Sequence, residues 1–135
     1  MRFIIGLVIL IMASGCSASG LEEYRDSAEH IVNELSCELQ SCENQEQLQQ
    51  HAPKLKKLFQ KLVELVIDAR EYQIKHPEEA EKMSIYGDRG ASDRLLNELN
   101  RIYELEGGRQ IVELSQKDAL ERLDAFESRF QKKYH

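Results

Sequence analysis

PKLKKLFQKLVELVIDAREYQIK, Pro53 to Lys75, sets Leu55, Leu58, Leu62, Leu65, Ala69 and Tyr72 at alternating steps of three and four residues. That spacing follows the 3.6-residue turn of an α-helix and brings all six to one face. Phe59, Val63 and Val66 widen the face enough to touch two neighbours. Pro53 suits a first helical turn, where its missing N–H has no partner to lose. His76-Pro77 predicts an end near Lys75. At the standard rise such a helix is about 34 Å long.

Working outward, Tyr24, Ala28, Ile31, Leu35 and Leu39 recur at helical steps upstream, and Ser19 with Glu22 reads as a capping box at the start of that first helix. Residues 40–52 are polar, with Leu48 their only large apolar side chain, and read as a connector holding at most a turn or two of helix. Downstream, a loop through Tyr86-Gly87-Asp88-Arg89-Gly90 leads to a third helix capped by Ser92, carried by Leu95, Leu96, Leu99, Ile102, Tyr103 and Leu105, and stopped by Gly107-Gly108. Ser115, with Asp118 three residues on, predicts the start of a fourth helix through Ala119, Leu120, Leu123, Phe126, Phe130 and Tyr134; Ile111, Val112 and Leu114 fall in the connection before it. Four amphipathic helices with modest loops predict an all-α protein, an antiparallel four-helix bundle over residues 21–135.

The composition agrees. In 135 residues there are two prolines and seven glycines, too few turn formers for a strand-rich fold, and 41% hydrophobic residues is too apolar a balance for disorder. The length fits one domain.

Arg2, the apolar run Phe3–Met12 and the small residues Ala13, Ser14 and Gly15 form an export signal. Ten apolar residues rise about 15 Å as a helix, half a bilayer core, so the run is too short to stay as a membrane span. Ala13-Ser14-Gly15-Cys16 resembles the lipobox of bacterial lipoproteins. The resemblance implies a diacylglycerol on the Cys16 sulfur, cleavage before Cys16, acylation of its new amino group, with palmitate among the chains, and a stable membrane anchor. Residues 1–15 are then the signal and residues 16–20 a short lipidated tether. Ser17 lacks the Asp that favours inner-membrane retention in enteric members of that class, so delivery to the outer membrane, facing the periplasm, is expected. Ala13 departs from the Leu usual in the class. The competing outcome is ordinary cleavage after Ala18, which releases a soluble protein.

Removing Arg2 with the signal leaves 17 basic against 24 acidic residues, a net charge of −7, which argues against a nucleic-acid partner. The charge is unevenly distributed: residues 16–51 hold one base and eight acids, residues 52–75 six bases and three acids. Antiparallel pairing of the first two helices is thus favoured electrostatically.

With Cys16 given to the lipid, Cys37 and Cys42 remain, an even pair in an exported protein, and a disulfide between them is expected. Residues five apart on one helix lie beyond bridging range, so the bond requires the helix to break between them. No metal is expected. His30 stands two turns before Cys37, no Glu precedes any histidine by three residues, and H-E-x-x-H is absent. No cofactor is expected either. The shape is similar to small periplasmic haem-binding four-helix cytochromes, including an aromatic and basic C-terminal end (Phe130, Lys132, Lys133, Tyr134), but the axial ligands do not carry over: Met83 falls in a predicted turn and His135 ends the chain. Without a nucleophile elbow, a P-loop or a glycine-rich dinucleotide fingerprint, an enzyme is not expected.

Two groups of cations are candidate contacts for lipid or an acidic partner: the stripe Lys54, Lys57 and Lys61 with Lys56 beside it, and the loop residues Arg89 and Arg109. The expected function is a membrane-anchored envelope lipoprotein acting as a protein-interaction or assembly module. It is similar to secretion pilotins at the level of class alone: small, helical and acylated. Its partners are the membrane, through the anchor, and an envelope protein. The alternatives are a ligand or metal carrier, for which Cys37, Cys42 and His51 are the contacts available, and a soluble secreted inhibitor.

Overall fold

A computed structural model describes residues 19–78 and 90–134. Cys16, the whole signal, Met83, Arg89 and His135 lie outside the described residues. Four helices are present: α1 (Ser19–Gln40), α2 (Gln45–Lys75), α3 (Gly90–Tyr103) and α4 (Gly108–Tyr134), with no strand among the described residues. The chain is all-α, a helical bundle. No described helix is long and apolar enough to cross a membrane.

α2 is eight residues longer at its start than the proline predicts. Asn44, extended at φ −148° and ψ 172°, accepts the Gln47 N–H on its side chain at 2.9 Å, and the Gln47 amide oxygen accepts the Glu43 N–H at 2.7 Å. This reciprocal cap satisfies donors that a helix start otherwise leaves open. The polar run after it is therefore helix, with Leu48 fully buried on the inner face, and Pro53 sits exposed within the helix rather than in its first turn. At the other end the helix stops where expected, with the His76 N–H donating to the Tyr72 carbonyl.

α3 begins at Gly90, so Ser92 is a buried residue of its first turn rather than the residue before it. α4 begins at Gly108, not Ser115. Gly107 adopts φ +72°, which glycine reaches without Cβ strain, and the next N–H, from Gly108, donates to the Leu105 carbonyl. Ile111, Val112 and Leu114 consequently belong to the first turns of α4, and the Ser115 hydroxyl donates to the Ile111 carbonyl four residues back.

The core draws Ala28, Ile31, Val32, Leu35 and Leu39 from α1, and Leu48 through Ala69 from α2. It takes Leu95, Leu99 and Ile102 from α3, and Val112, Ala119 and Leu123 from α4. α2 serves two neighbours, α1 and α4, as its wide face predicts. α1 and α2 run antiparallel: the end of α1 meets the start of α2 at Glu38–Lys54, and the start of α1 meets the end of α2 at Tyr24–Tyr72. Two further lateral pairs run parallel. Along α2 and α4, Lys56 pairs with Asp118 and Glu64 with Arg122; along α1 and α3, Asn33 meets Arg94, and the Leu39 and Cys42 carbonyls meet Arg101. The bundle order around its axis is thus α1, α2, α4, α3, and helices consecutive in the chain alternate in direction.

Candidate functional site

The turn between α1 and α2 gathers most of the polar residues that the sequence singles out. Glu38, in the last turn of α1, receives His51 Nδ1 at 2.7 Å and the Lys54 ammonium from α2. The Lys54 ammonium, ahead of His51, holds the Glu38 carboxyl below the usual carboxylate range, against the opposing effect of burial. The carboxylate in turn pushes Lys54 up. Arg101 crosses from α3 and donates to the Leu39 carbonyl at 2.6 Å and the Cys42 carbonyl at 2.9 Å, closing the C-terminal end of α1. Its Nε is held by Glu98 at 3.0 Å.

The expected Cys37–Cys42 disulfide is not formed. Both are free thiols: Cys37 is exposed inside α1, and Cys42 is buried in the turn with its sulfur 3.3 Å from the Glu38 carbonyl. The helix does end between them, at Gln40, but Cys37 is exposed on α1 while Cys42 is buried in the turn. Burial, with the Glu38 charge adding to it, pushes the Cys42 thiol up. Cys37, Cys42 and His51 do not form a metal-holding group. Among the described residues no cluster of three His, Cys, Asp or Glu side chains is arranged for one.

The lysine stripe divides. Lys54 is committed to Glu38 and Lys56 to Asp118 at 2.8 Å. Because α2 starts at Gln45, both stand beyond the first turn, where the positive end of the helix dipole no longer acts on them. Lys57 and Lys61 line a shallow groove against Ile31 and Leu65. Arg109, in the first turn of α4, lies 4.9 Å from the Tyr103 ring centroid.

Two further surfaces stand out. At the start of α4, Leu114 is 70% exposed, beside Ile111 and, across from α2, Ala52 and Pro53. At the opposite end of α4, about 430 Å³ of groove opens between Ile74 and Lys75 of α2 and Phe126, Arg129, Phe130, Lys133 and Tyr134 of α4. The three rings follow one another along the helix in tilted contact, 6.1 Å from Phe126 to Phe130 and 4.8 Å from Phe130 to Tyr134, and Lys133 Nζ lies 5.4 Å from the Tyr134 ring centroid. Glu71 and Arg122 complete the lining, and Arg122 is held by Glu64 at 2.9 Å. The aromatic and basic end of α4 is legible in the sequence. Its α2 wall is not, because only the parallel pairing of α2 and α4 puts Ile74 and Lys75 opposite it.

This groove shares an end of the bundle with the start of α1. Tyr72, one turn before the end of α2, meets the Tyr24 ring at 5.7 Å, tilted by 57°, and stacks on His76 at 4.2 Å. Gly20 packs so closely on the Tyr72 ring that a Cβ there would overlap its hydroxyl. Comparison with protein-family models, curated proteins and solved structures finds no match to this chain.

Proposed function

We propose that the protein is a lipid-anchored envelope module that works by binding: acylated at Cys16, facing the periplasm from the outer membrane, and engaging an envelope protein in an assembly role of the kind pilotins fill. The lipobox-like Ala13-Ser14-Gly15-Cys16 supports the anchor. The observation that carries the binding role is the apolar surface around Leu114, a leucine 70% exposed among Ile111, Ala52 and Pro53. Leu114 lies 20 residues of α4 from Tyr134, about 30 Å along the axis, at the end of the bundle away from the start of α1. An anchored bundle therefore presents it outward. An amphipathic helix of the partner, with apolar residues at three- and four-residue spacing, suits a surface between two helices.

Two measurements test this reading. Radiolabelled palmitate enters the wild-type chain in cells and not the Cys16→Ala variant, which leaves the membrane fraction. A photo-crosslinking residue at position 114 captures one discrete envelope protein in intact cells, whereas the same residue at exposed Asn97 does not. Unlabelled protein, or a Cys16→Ala form that fractionates unchanged, overturns the anchor. Equal capture from both positions overturns the Leu114 surface.

A further inference from the structure

The geometry points to a second membrane contact: the groove between the ends of α2 and α4 binds the anionic headgroups of the bilayer that holds the anchor. The inference rests on the anchored reading above, and three observations carry it. The first is reach. α1 begins at Ser19, three residues after Cys16, and three residues span at most about 11 Å. The end of the bundle that holds Ser19, the Tyr24–Tyr72–His76 cluster and the groove is therefore kept at the level of the lipid headgroups. A helix starting that close to its anchor has no slack with which to turn this end outward.

The second is charge. Lys75, Arg129 and Lys133 are exposed at the groove, and Lys132 follows on the same last turn of α4, with Glu71 the acid among the lining residues. The whole chain carries a formal charge of −6, so a basic groove runs against its general balance. Cations in a last helical turn also complement the helix dipole, and here two parallel helices bring two such ends together. The dipoles account for lysines. They do not account for the third observation, the row of rings.

Phe126, Phe130 and Tyr134 stand at steps of four along α4, the last of them 47% exposed, flanked by cations on long aliphatic stems. Aromatic rings with Lys and Arg beside them suit the bilayer interface, where rings sit at headgroup depth and the cations reach the phosphates. Ile74 continues the apolar wall on α2. The occupant is a phospholipid headgroup with net negative charge, met by the cations at the rim while the rings contact the glycerol and upper acyl region.

The sequence contains no tryptophan, so Tyr134→Trp supplies a single indole at the groove. The acylated chain carrying it, purified from membranes, is added to vesicles of pure phosphatidylcholine and to vesicles in which about a third of the lipid is phosphatidylglycerol. Co-flotation reports the anchor; indole emission reports the groove. The expected result is co-flotation with both vesicle types and a blue shift confined to the anionic vesicles. That shift reverses as salt shortens the screening length from about 10 Å at 0.1 M to about 3 Å at 1 M. The variant Lys75→Glu/Arg129→Glu/Lys133→Glu, checked for helicity by circular dichroism, loses the shift and still floats. Equal emission on the two vesicle types, or a shift that survives the charge reversal, overturns the groove while leaving the anchor standing. Flotation with anionic vesicles alone overturns the anchor and keeps the groove; flotation with neither overturns both.

Discussion

Glu38 is the residue on which the α1–α2 turn depends. Its carboxylate is held below the usual range by Lys54 and His51, so the stabilisation it supplies is present above the ordinary Glu pKa of about 4.3 and is lost as pH falls through the lower folded value. Glu38→Gln should cost about 1–2 kcal/mol at pH 7. The gap between variant and wild type, followed by urea denaturation, should narrow below about pH 4; a gap that does not change with pH would remove the ion pairs from the account. The two thiols divide in the same region. In a chain carrying Cys16→Ser, a maleimide should label Cys37 promptly and Cys42 only on unfolding, read as one and then two adducts by intact mass. Their reactivity belongs to burial: Cys37 falls between Leu35 and Leu39, off the inner face of α1, whereas Cys42 lies in the polar run, where spacing gives no sign that it is buried.

At the scale of the element, Arg101 ties three pieces of backbone together from one side chain. Its two guanidinium donors reach the Leu39 carbonyl, which also accepts the Cys42 N–H at 3.1 Å, and the Cys42 carbonyl in the turn beyond α1, so the side chain fastens the turn to α3. Arg101→Ala should destabilise by about 2–3 kcal/mol, and Arg101→Lys should recover less than half, since an ammonium cannot serve both carbonyls in fork geometry. Full recovery by lysine would show that charge alone matters there. Pro53 makes the opposite case. It is exposed within α2 and removes a helix hydrogen bond, so Pro53→Ala should raise stability by about 1–2 kcal/mol, an offset from the freer unfolded chain included. A loss instead would mean that the irregularity is needed for the fit against the start of α4. The proline predicts the helix start wrongly because a proline tolerates only a few helical positions in isolation. In the folded chain, Asn44 caps eight residues earlier and the buried Leu48 holds the added turns in place.

For the whole molecule, the order α1, α2, α4, α3 sets what faces what. Cysteines introduced at Glu64 and Arg122 should be joined by a short bifunctional thiol reagent, as that pair lies at 2.9 Å across two parallel helices, in a background where Cys37 and Cys42 are serine. A simple ring of consecutive helices would put α2 and α4 on a diagonal and leave those cysteines unlinked. The same order builds both surfaces assigned here, the Leu114 patch at one end of the α2–α4 seam and the aromatic groove at the other.

Helical content and the inner faces of α1, α2 and α3 follow from residue spacing, because a side chain's direction on a helix is determined by its position in the 3.6-residue turn, and the end of α2 follows from His76-Pro77. On α4 the spacing marks the buried Ala119 and Leu123 but also Tyr134, which is 47% exposed. The aromatic and basic character of the C-terminal end follows from the same local reading. Helix starts at Gln45 and Gly108, the free state of Cys37 and Cys42, and the facing of Ile74 and Lys75 onto Phe130 and Tyr134 were decided by tertiary structure. Each depends on which surfaces exclude water together. That is a property of packing between segments far apart in the chain, and periodicity within one segment does not contain it.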